Sequence, residues 1–361
     1  MLAGLEFTLG VLIWCGTLWD GFATIVLPRT VSPMRRLSGR FNRRSWQVWA
    51  VLGRRIRDQE QRLSFLAVYG PISVMLLLIL WAWLIIFAWA LVYHSLGPSV
   101  QGANGRLSFG ALLYASASTF LTLGMGDVTA ANAIGRSCLL LEAASGYLFL
   151  ALVITYMPVL EQAYGAREVD NVLILSRAGR PPNVLRLLHR YSTPDRAEIL
   201  RGYLHEAERW MAEILQTHLS HPVLSFYRAQ HWGQSWLISL TVVLDGCALL
   251  MVSGTGLSAA QARLTYRMGL GLLKDLTEAL GITIDPRVRT RLTASELPTF
   301  LAASEALRLN LNLEPAACEA LLRLVRRYDV YLLALSEWLV IPLPSWTPPP
   351  PAGDEPDGCT E

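Results

Sequence analysis

Charge is what this sequence has least of. Only 16% of its 361 residues are Asp, Glu, Lys or Arg, against about 25% in ordinary soluble domains. Hydrophobic residues make up 53%, and the mean hydropathy is +0.36. That balance excludes a purely soluble protein, and it excludes a disordered chain, which would be poor in apolar residues. Cysteine is scarce as well: five residues spread over the full length exclude a disulfide scaffold. No Gly-x-Gly-x-x-Gly follows a strand, and there is no Walker loop, Cys-x-x-Cys pair or nucleophile elbow. Neither a Rossmann-type nucleotide domain nor an enzyme is therefore indicated. The net charge of +3 is small but segregated. Residues 29–62 hold ten arginines and two acids, whereas residues 160–361 hold 19 basic and 22 acidic residues. A basic excess this local reads as membrane topology before nucleic-acid binding.

Long apolar runs are abundant. No charged residue occurs from Leu63 to Gly105, and the core of that stretch, Pro71 to Val92, is long enough for a transmembrane helix. Trp81, Trp83 and Trp89 ride on it, and Tyr93 sits at one end, where amphipathic rings favour the interface. A second span runs from about Ser137 to Leu160 with a single charge, Glu142. A third, Leu2 to Leu27, is interrupted by Glu6 and Asp20; its first basic residue, Arg29, follows the apolar run, so it reads as a mature helix and not as a signal peptide. The ten arginines put the 29–62 loop in the cytoplasm, which places the N-terminus outside and the chain after residue 160 inside. Within that loop Trp46, Trp49, Leu52 and Ile56 recur at helical spacing. Arg43, Arg44, Arg54 and Arg55 stand around them, a pattern that suits a helix lying against anionic lipid.

Between the two later spans, residues 109–127 read FGALLYASASTFLTLGMGD. Phe109 to Leu121 is helix-compatible but too short to cross a bilayer, so it suits a helix that enters halfway and stops. Thr119 and Thr122, Gly124 and Gly126, and Asp127 then fall at the spacing Thr-x-x-Thr-x-Gly-x-Gly-Asp. This segment resembles the selectivity filter of potassium channels. The resemblance covers roughly residues 71–165, with outer helix, pore helix, filter and inner helix in family order, as in bacterial two-transmembrane-type channels.

The chemistry asked of such a segment can be stated. A dehydrated cation needs a cage of oxygens, and rings of backbone carbonyls supply it without fixed charge. Aiming successive carbonyls at one axis requires dihedrals that alternate between ordinary and left-handed regions, which glycine tolerates at no steric cost. The resemblance implies K⁺ held by the carbonyls of Thr122, Leu123, Gly124 and Met125 and the Thr122 hydroxyl, with Gly126 and Asp127 closing the outer mouth. It also implies a homotetramer, since one chain supplies one quarter of each ring, and a bacterial cell membrane. Thr119 and Glu142 are expected to support the filter, Glu142 either lining the cavity or bonded to Ser116, Ser118 or Thr119. Gly146 is a candidate gating hinge or a close-packing residue. No cofactor beyond permeant K⁺ is expected. Met125 departs from the family, which carries Tyr or Phe there. That leaves a weakly selective cation pore, or a non-conducting membrane-tethered sensor, as alternatives.

From Glu161 the chain reads as helices punctuated by Pro and Gly, with no alternating strand pattern. Thr193-Pro194 opens a helix to about Leu219, Pro222 restarts another, and Ser258 caps one through Ala279. The run 236–252, with Asp245 inside it, suits a buried bundle helix better than a further span. His218, His221 and His231 gather loosely around Pro222, as surface or core residues or as a metal site. The expected organisation is an N-terminal span (1–28), a basic segment (29–62), a pore domain (63–160), a helical cytoplasmic domain (161–341) and a disordered Pro-rich acidic tail (342–361). The fold class is an all-α membrane protein.

Overall fold

The computed structural model describes residues 1–27, 36–102, 107–229, 234–253, 256–309, 311 and 313–347. It divides into two compact units, residues 1–163 with 220–227, and residues 164–219 with 228–361. The chain is an all-α membrane protein. Among the described residues the only strands are β1 (Val100–Gly102) and β2 (Val128–Ala130), an antiparallel pair that the sequence pattern did not predict.

The first unit is built on α4 (Tyr69–Ser95), the most apolar helix. Against it lies α1 (Leu2–Ile25), so close that a Cβ on Gly10 would stand 2.7 Å from the Ala88 carbonyl oxygen. Trp14 meets Trp89 edge-on at 5.2 Å. Asp20, whose role the sequence left open, is buried. Its Oδ2 accepts from the Trp81 indole N–H and from the Ser38 amide, each at 3.0 Å. The second bond serves an otherwise unpartnered amide in the first turn of α2 (Leu37–Arg55). After α2 come α3 (Gln59–Ala67), capped by Asp58, and α4.

One expectation for α2 needs correction. Trp46 does not face lipid: it is buried, packed on Tyr69 at 4.8 Å and Phe226 at 5.0 Å. Trp49 stacks on Phe65. The exposed apolar residues of this helix are Val48, Val51 and Leu52. Helical spacing alone does not say which of two stripes faces inward, and here the aromatic stripe does.

The third long helix, α6, runs unbroken from Ala133 to Ser176 through Pro158. Exposed apolar side chains crowd α1 (Leu5, Leu12, Trp19), α4 (Leu76, Ile79, Trp83) and α6 (Leu140, Leu148, Ile154). Such surfaces are stable only against lipid or further protein.

The second unit is a helical bundle of the distal part of α6 with α7 (Val184–Arg190), α8 (Ala197–Ser220), α9 (Trp236–Ser253), α10 (Gly256–Ala279), α11 (Leu297–Ala306) and α12 (Pro315–Leu339). Pro222, expected to open a helix, starts only a five-residue 3-10 turn, which belongs to the first unit. Ser258 lies inside α10 and does not cap it. Among the described residues α9 is one of four helices long and apolar enough to cross a membrane. Yet every residue from Trp236 to Leu249 is buried in protein.

At its centre Asp245 meets a buried arginine. Arg291 reaches Asp245 at 2.6 and 3.0 Å and Asp329 of α12 at 2.9 Å, and the Tyr328 hydroxyl donates to Asp245 at 2.5 Å. Arg291 also donates to the Pro344 carbonyl at 3.1 Å, and the chain beyond α12 stays packed. Trp346 is buried against Phe300, and the Asn183 amide group donates to the Ser345 carbonyl at 2.9 Å. The expected disordered tail therefore cannot begin at residue 342, because one tryptophan and these backbone bonds anchor it through 347; residues 348–361 lie outside the described residues. Among the described residues no group of three or more His, Cys, Asp or Glu could hold a metal, and His231 lies outside them.

Two outcomes follow from these buried charges. Arg291→Met leaves two buried carboxylates without their cation, so thermal or urea unfolding of the solubilised protein should show this unit weakened by about 3–5 kcal/mol. His218 is fully buried with Nε2 3.2 Å from the Arg167 guanidinium, a group with donors only. Burial, then that neighbouring charge, hold it well below its ordinary value of 6.5. The unfolded chain takes up a proton there and the folded chain does not, so stability falls as pH drops below that value, by about 1.4 kcal/mol per pH unit. Unfolding midpoints taken down to about pH 5 should show this slope, and His218→Gln should flatten it.

Candidate functional site

The 109–127 segment is built around α5 (Phe109–Phe120), whose first turn is capped by Ser108. Twelve residues at about 1.5 Å each give about 18 Å, roughly half of the hydrocarbon core. One side of α5 is buried through Leu112, Ala115, Ser116, Ser118 and Phe120. There it joins a core of Ile85, Ile86, Trp89, Val92 and Tyr93 from α4, with Leu139 and Phe149 of α6 packed against it.

Past Phe120 the helix stops and the backbone changes hand at every second residue. Thr122 has φ 57°, Gly124 58° and Gly126 80°. Two of the three are glycines, for which this costs nothing; Thr122 is a β-branched residue held in a region it rarely adopts. What holds it is hydrogen bonding back to the end of α5. The Thr122 amide donates to the Thr119 carbonyl at 3.0 Å. The Leu123 and Gly124 amides share the Ser118 carbonyl at 2.8 and 3.5 Å, and the Met125 amide points to Ser118 Oγ at 3.4 Å. Four successive amides are thus turned toward α5. Among the described residues no donor reaches the carbonyl oxygens of 122–125. These oxygens of 122–125, which follow the negative C-terminal end of α5, are the chemistry the segment offers: neutral acceptors without a partner among the described residues.

The rest of the segment is solvent-facing in the single chain. Leu123 is 63% and Met125 65% exposed, and Thr122, Gly124, Gly126 and Asp127 are exposed too. After Asp127 the chain is tied down by β2 pairing with β1, by the Ala131 amide donating to the Ser99 carbonyl at 2.9 Å, and by Asn132 Nδ2 donating to Ser99 Oγ at 3.1 Å. Both ends of 122–127 are therefore anchored, and the middle is not.

Other residues picked out from the sequence take these places. The Thr119 hydroxyl donates within its own helix, to Ala115 at 2.9 Å, so Thr119 meets the segment only through its carbonyl. Glu142 lies behind α5, not in a cavity: its carboxyl group meets the hydroxyls of Ser116 and Tyr93. Tyr93 is therefore no interfacial anchor; it is fully buried. Its position at the end of an apolar run looks the same in either role. Gly146 packs directly on the end of α5, where a Cβ would stand 2.0 Å from the Phe120 carbonyl oxygen. Ser118, which receives three of the amides, was weighed in the sequence only as a partner for Glu142. A serine four residues before the first left-handed position was the available signal.

Residues 73–160 match a family model described as an ion channel. This stretch is an ion channel domain. It contains α5, the 122–127 segment, nearly all of α4 and the N-terminal part of α6. The chain is also 23% identical over 182 residues to the uncharacterized membrane protein YdjJ of Bacillus subtilis (strain 168), an alignment covering 49% of this chain and 52% of that protein. The chain thus spans about half the length of the curated relative it matches. No solved structure gives a significant match.

The contact at Gly146 yields an outcome. Gly146→Ala places a methyl group against the Phe120 carbonyl and forces α6 away from α5. The melting temperature of the solubilised protein should drop, by an amount corresponding to about 1–3 kcal/mol of overpacking. An unchanged melting temperature would show that the two helices are not in this contact.

Proposed function

We propose that this protein is a tetrameric cation channel that passes potassium down its gradient through a ring of backbone carbonyls. The observation that carries the reading is the alternation of hand at Thr122, Gly124 and Gly126, with the intervening amides spent on Ser118 and Thr119 and the carbonyls left unpartnered. Unpartnered backbone at membrane depth is tolerable only when it lines a water-filled or ion-filled path. Four such strands around an axis would replace the hydration shell of a K⁺ ion with the carbonyls of Thr122, Leu123, Gly124 and Met125 and the Thr122 hydroxyl. Repulsion between neighbouring ions would drive exit at the far side. A ring of Asp127 carboxylates at the mouth would concentrate cations. The exposed Leu123 and Met125 side chains would be covered by neighbouring copies.

The arginine excess in 29–62 supports a cytoplasmic loop and an outer N-terminus, which puts the chain after the inner helix in the cytoplasm of a bacterial cell. Arg43, Arg44, Arg54 and Arg55 of α2, with Val48, Val51 and Leu52 exposed beside them, fit an anionic lipid surface. No enzymatic step is part of this reading.

A weakly selective pore has one observation in its favour. Met125 stands where the resembling family has an aromatic ring, and a flexible thioether specifies a diameter less well. Reversal potentials in liposomes under opposed K⁺ and Na⁺ gradients separate the two. Potassium selectivity predicts a potential close to the K⁺ equilibrium value, and a weakly selective pore predicts one near zero. Gly124→Ala should abolish flux while the assembly survives on a sizing column, because alanine resists φ near 58°. Normal conductance in that variant would remove 122–127 from the pathway.

A further inference from the structure

Glu142 is completely buried in the first quarter of α6 and makes no ion pair among the described residues. Three oxygen–oxygen contacts run in series through it. The Tyr93 hydroxyl meets Oε2, the Ser116 hydroxyl meets Oε1, and the same Ser116 hydroxyl lies 2.8 Å from the Ile86 carbonyl oxygen of α4. Each contact needs one hydrogen between its two oxygens. Tyr93 brings one and Ser116 brings one; the Ile86 carbonyl brings none. With an ionised carboxylate, two hydrogens must serve three contacts, and one pair of oxygens is left lone pair against lone pair. With the neutral acid the count closes. Tyr93 donates to Oε2, Glu142 donates to Ser116 Oγ, and Ser116 donates to the Ile86 carbonyl.

We propose that Glu142 is held as a neutral carboxylic acid and that its single proton positions the pore helix, and with it residues 122–127, for conduction. This rests on the channel reading above. The link is short: Ser116 and Ser118 lie within one turn of α5, and Ser118 receives the amides of 123, 124 and 125. Loss of the proton to water would turn Glu142 into an acceptor at both oxygens. The Ser116 hydroxyl would then swing to it and abandon the Ile86 carbonyl, untying α5 from α4. The titratable groups near Glu142 are few. From α4 it faces Tyr93; on its own helix Cys138 sits one turn earlier; α5 offers none. The charged groups of α1 are engaged elsewhere, Glu6 with His94 at 2.7 Å and Asp20 with Ser38 and Trp81. Among the described residues no cation pairs with Glu142 to compete with the proton.

The test uses the full-length protein in liposomes, read by infrared spectroscopy and potassium flux as pH is raised. The wild type should show the carbonyl-stretch band of a buried carboxylic acid, downshifted in D₂O and absent from Glu142→Gln. That band should be lost reversibly at alkaline pH in step with loss of most of the flux. Glu142→Gln, which keeps a donor toward Ser116, should conduct without that alkaline step. Ser116→Ala should shift the band, because the acid loses its acceptor. Absence of the band from the wild type overturns the proposal, as do loss of the band without change in flux, an unshifted band in Ser116→Ala, or the same alkaline fall in Glu142→Gln. If no preparation passes cations at any pH, the channel reading fails, and the band by itself still decides whether Glu142 carries the proton.

Discussion

A backbone that turns its amides one way and its carbonyls the other is not stable in a membrane unless something answers the amides. In this protein Ser118 and Thr119 answer them. The last turn of α5 offers two carbonyls and one hydroxyl to the four successive N–H groups of 122–125, and the left-handed φ values at 122 and 124 accompany those bonds. Each unanswered polar group at this depth costs several kcal/mol. On the channel reading proposed above, water and a passing cation would be the partners of the open carbonyls.

Much of the first unit serves to hold the end of α5 in place. From one side α6 reaches it at Gly146, where no side chain would fit. Beyond the 122–127 segment, Gly135 of α6 lies against the carbonyl of Ser99, which also accepts from the Ala131 amide, and a Cβ on Gly135 would stand 2.1 Å from it. Between these two contacts Glu142 bridges α4 and α5 through Tyr93 and Ser116. Two glycines and one buried acid thus set the spacing of three helices. Outside them, α1 adds a layer on α4, joined through Trp14 and Asp20. The second unit draws on a different source of order. Its most apolar helix is enclosed by protein, and the Asp245–Arg291–Asp329 cluster specifies how α9 and α12 meet.

The spans were legible because an uncharged run from 63 to 105 is longer than a buried core helix needs, and the short helix was legible because twelve residues cannot cross a bilayer. Glycine at 124 and 126 announced the change of hand. Thr122 did not, since nothing in a threonine signals positive φ; that value comes from the Ser118 and Thr119 acceptors, which are a tertiary matter. Trp46 and Tyr93 were assigned to the interface because an amphipathic ring has the same sequence signature whether its polar tip meets water or a buried partner. Only the three-dimensional positions of Tyr69 and Phe226 against Trp46, and of Glu142 beside Tyr93, separate the two roles. The stretch from 342 to 347 looked disordered by composition, and the burial of Trp346 against Phe300 holds it in place. The small strands β1 and β2 were not legible at all, being three residues each and paired across the whole of α5.

The most direct measurement of the central claim is a structure of the assembled protein in detergent or nanodiscs, determined in K⁺ and again with Rb⁺ or Tl⁺ in its place. A tetrameric filter would show four copies with residues 122–127 lining the symmetry axis, and heavy-ion density between the carbonyls of 122–125. Those residues facing lipid, or lying away from any axis with no ion density beside them, would contradict it.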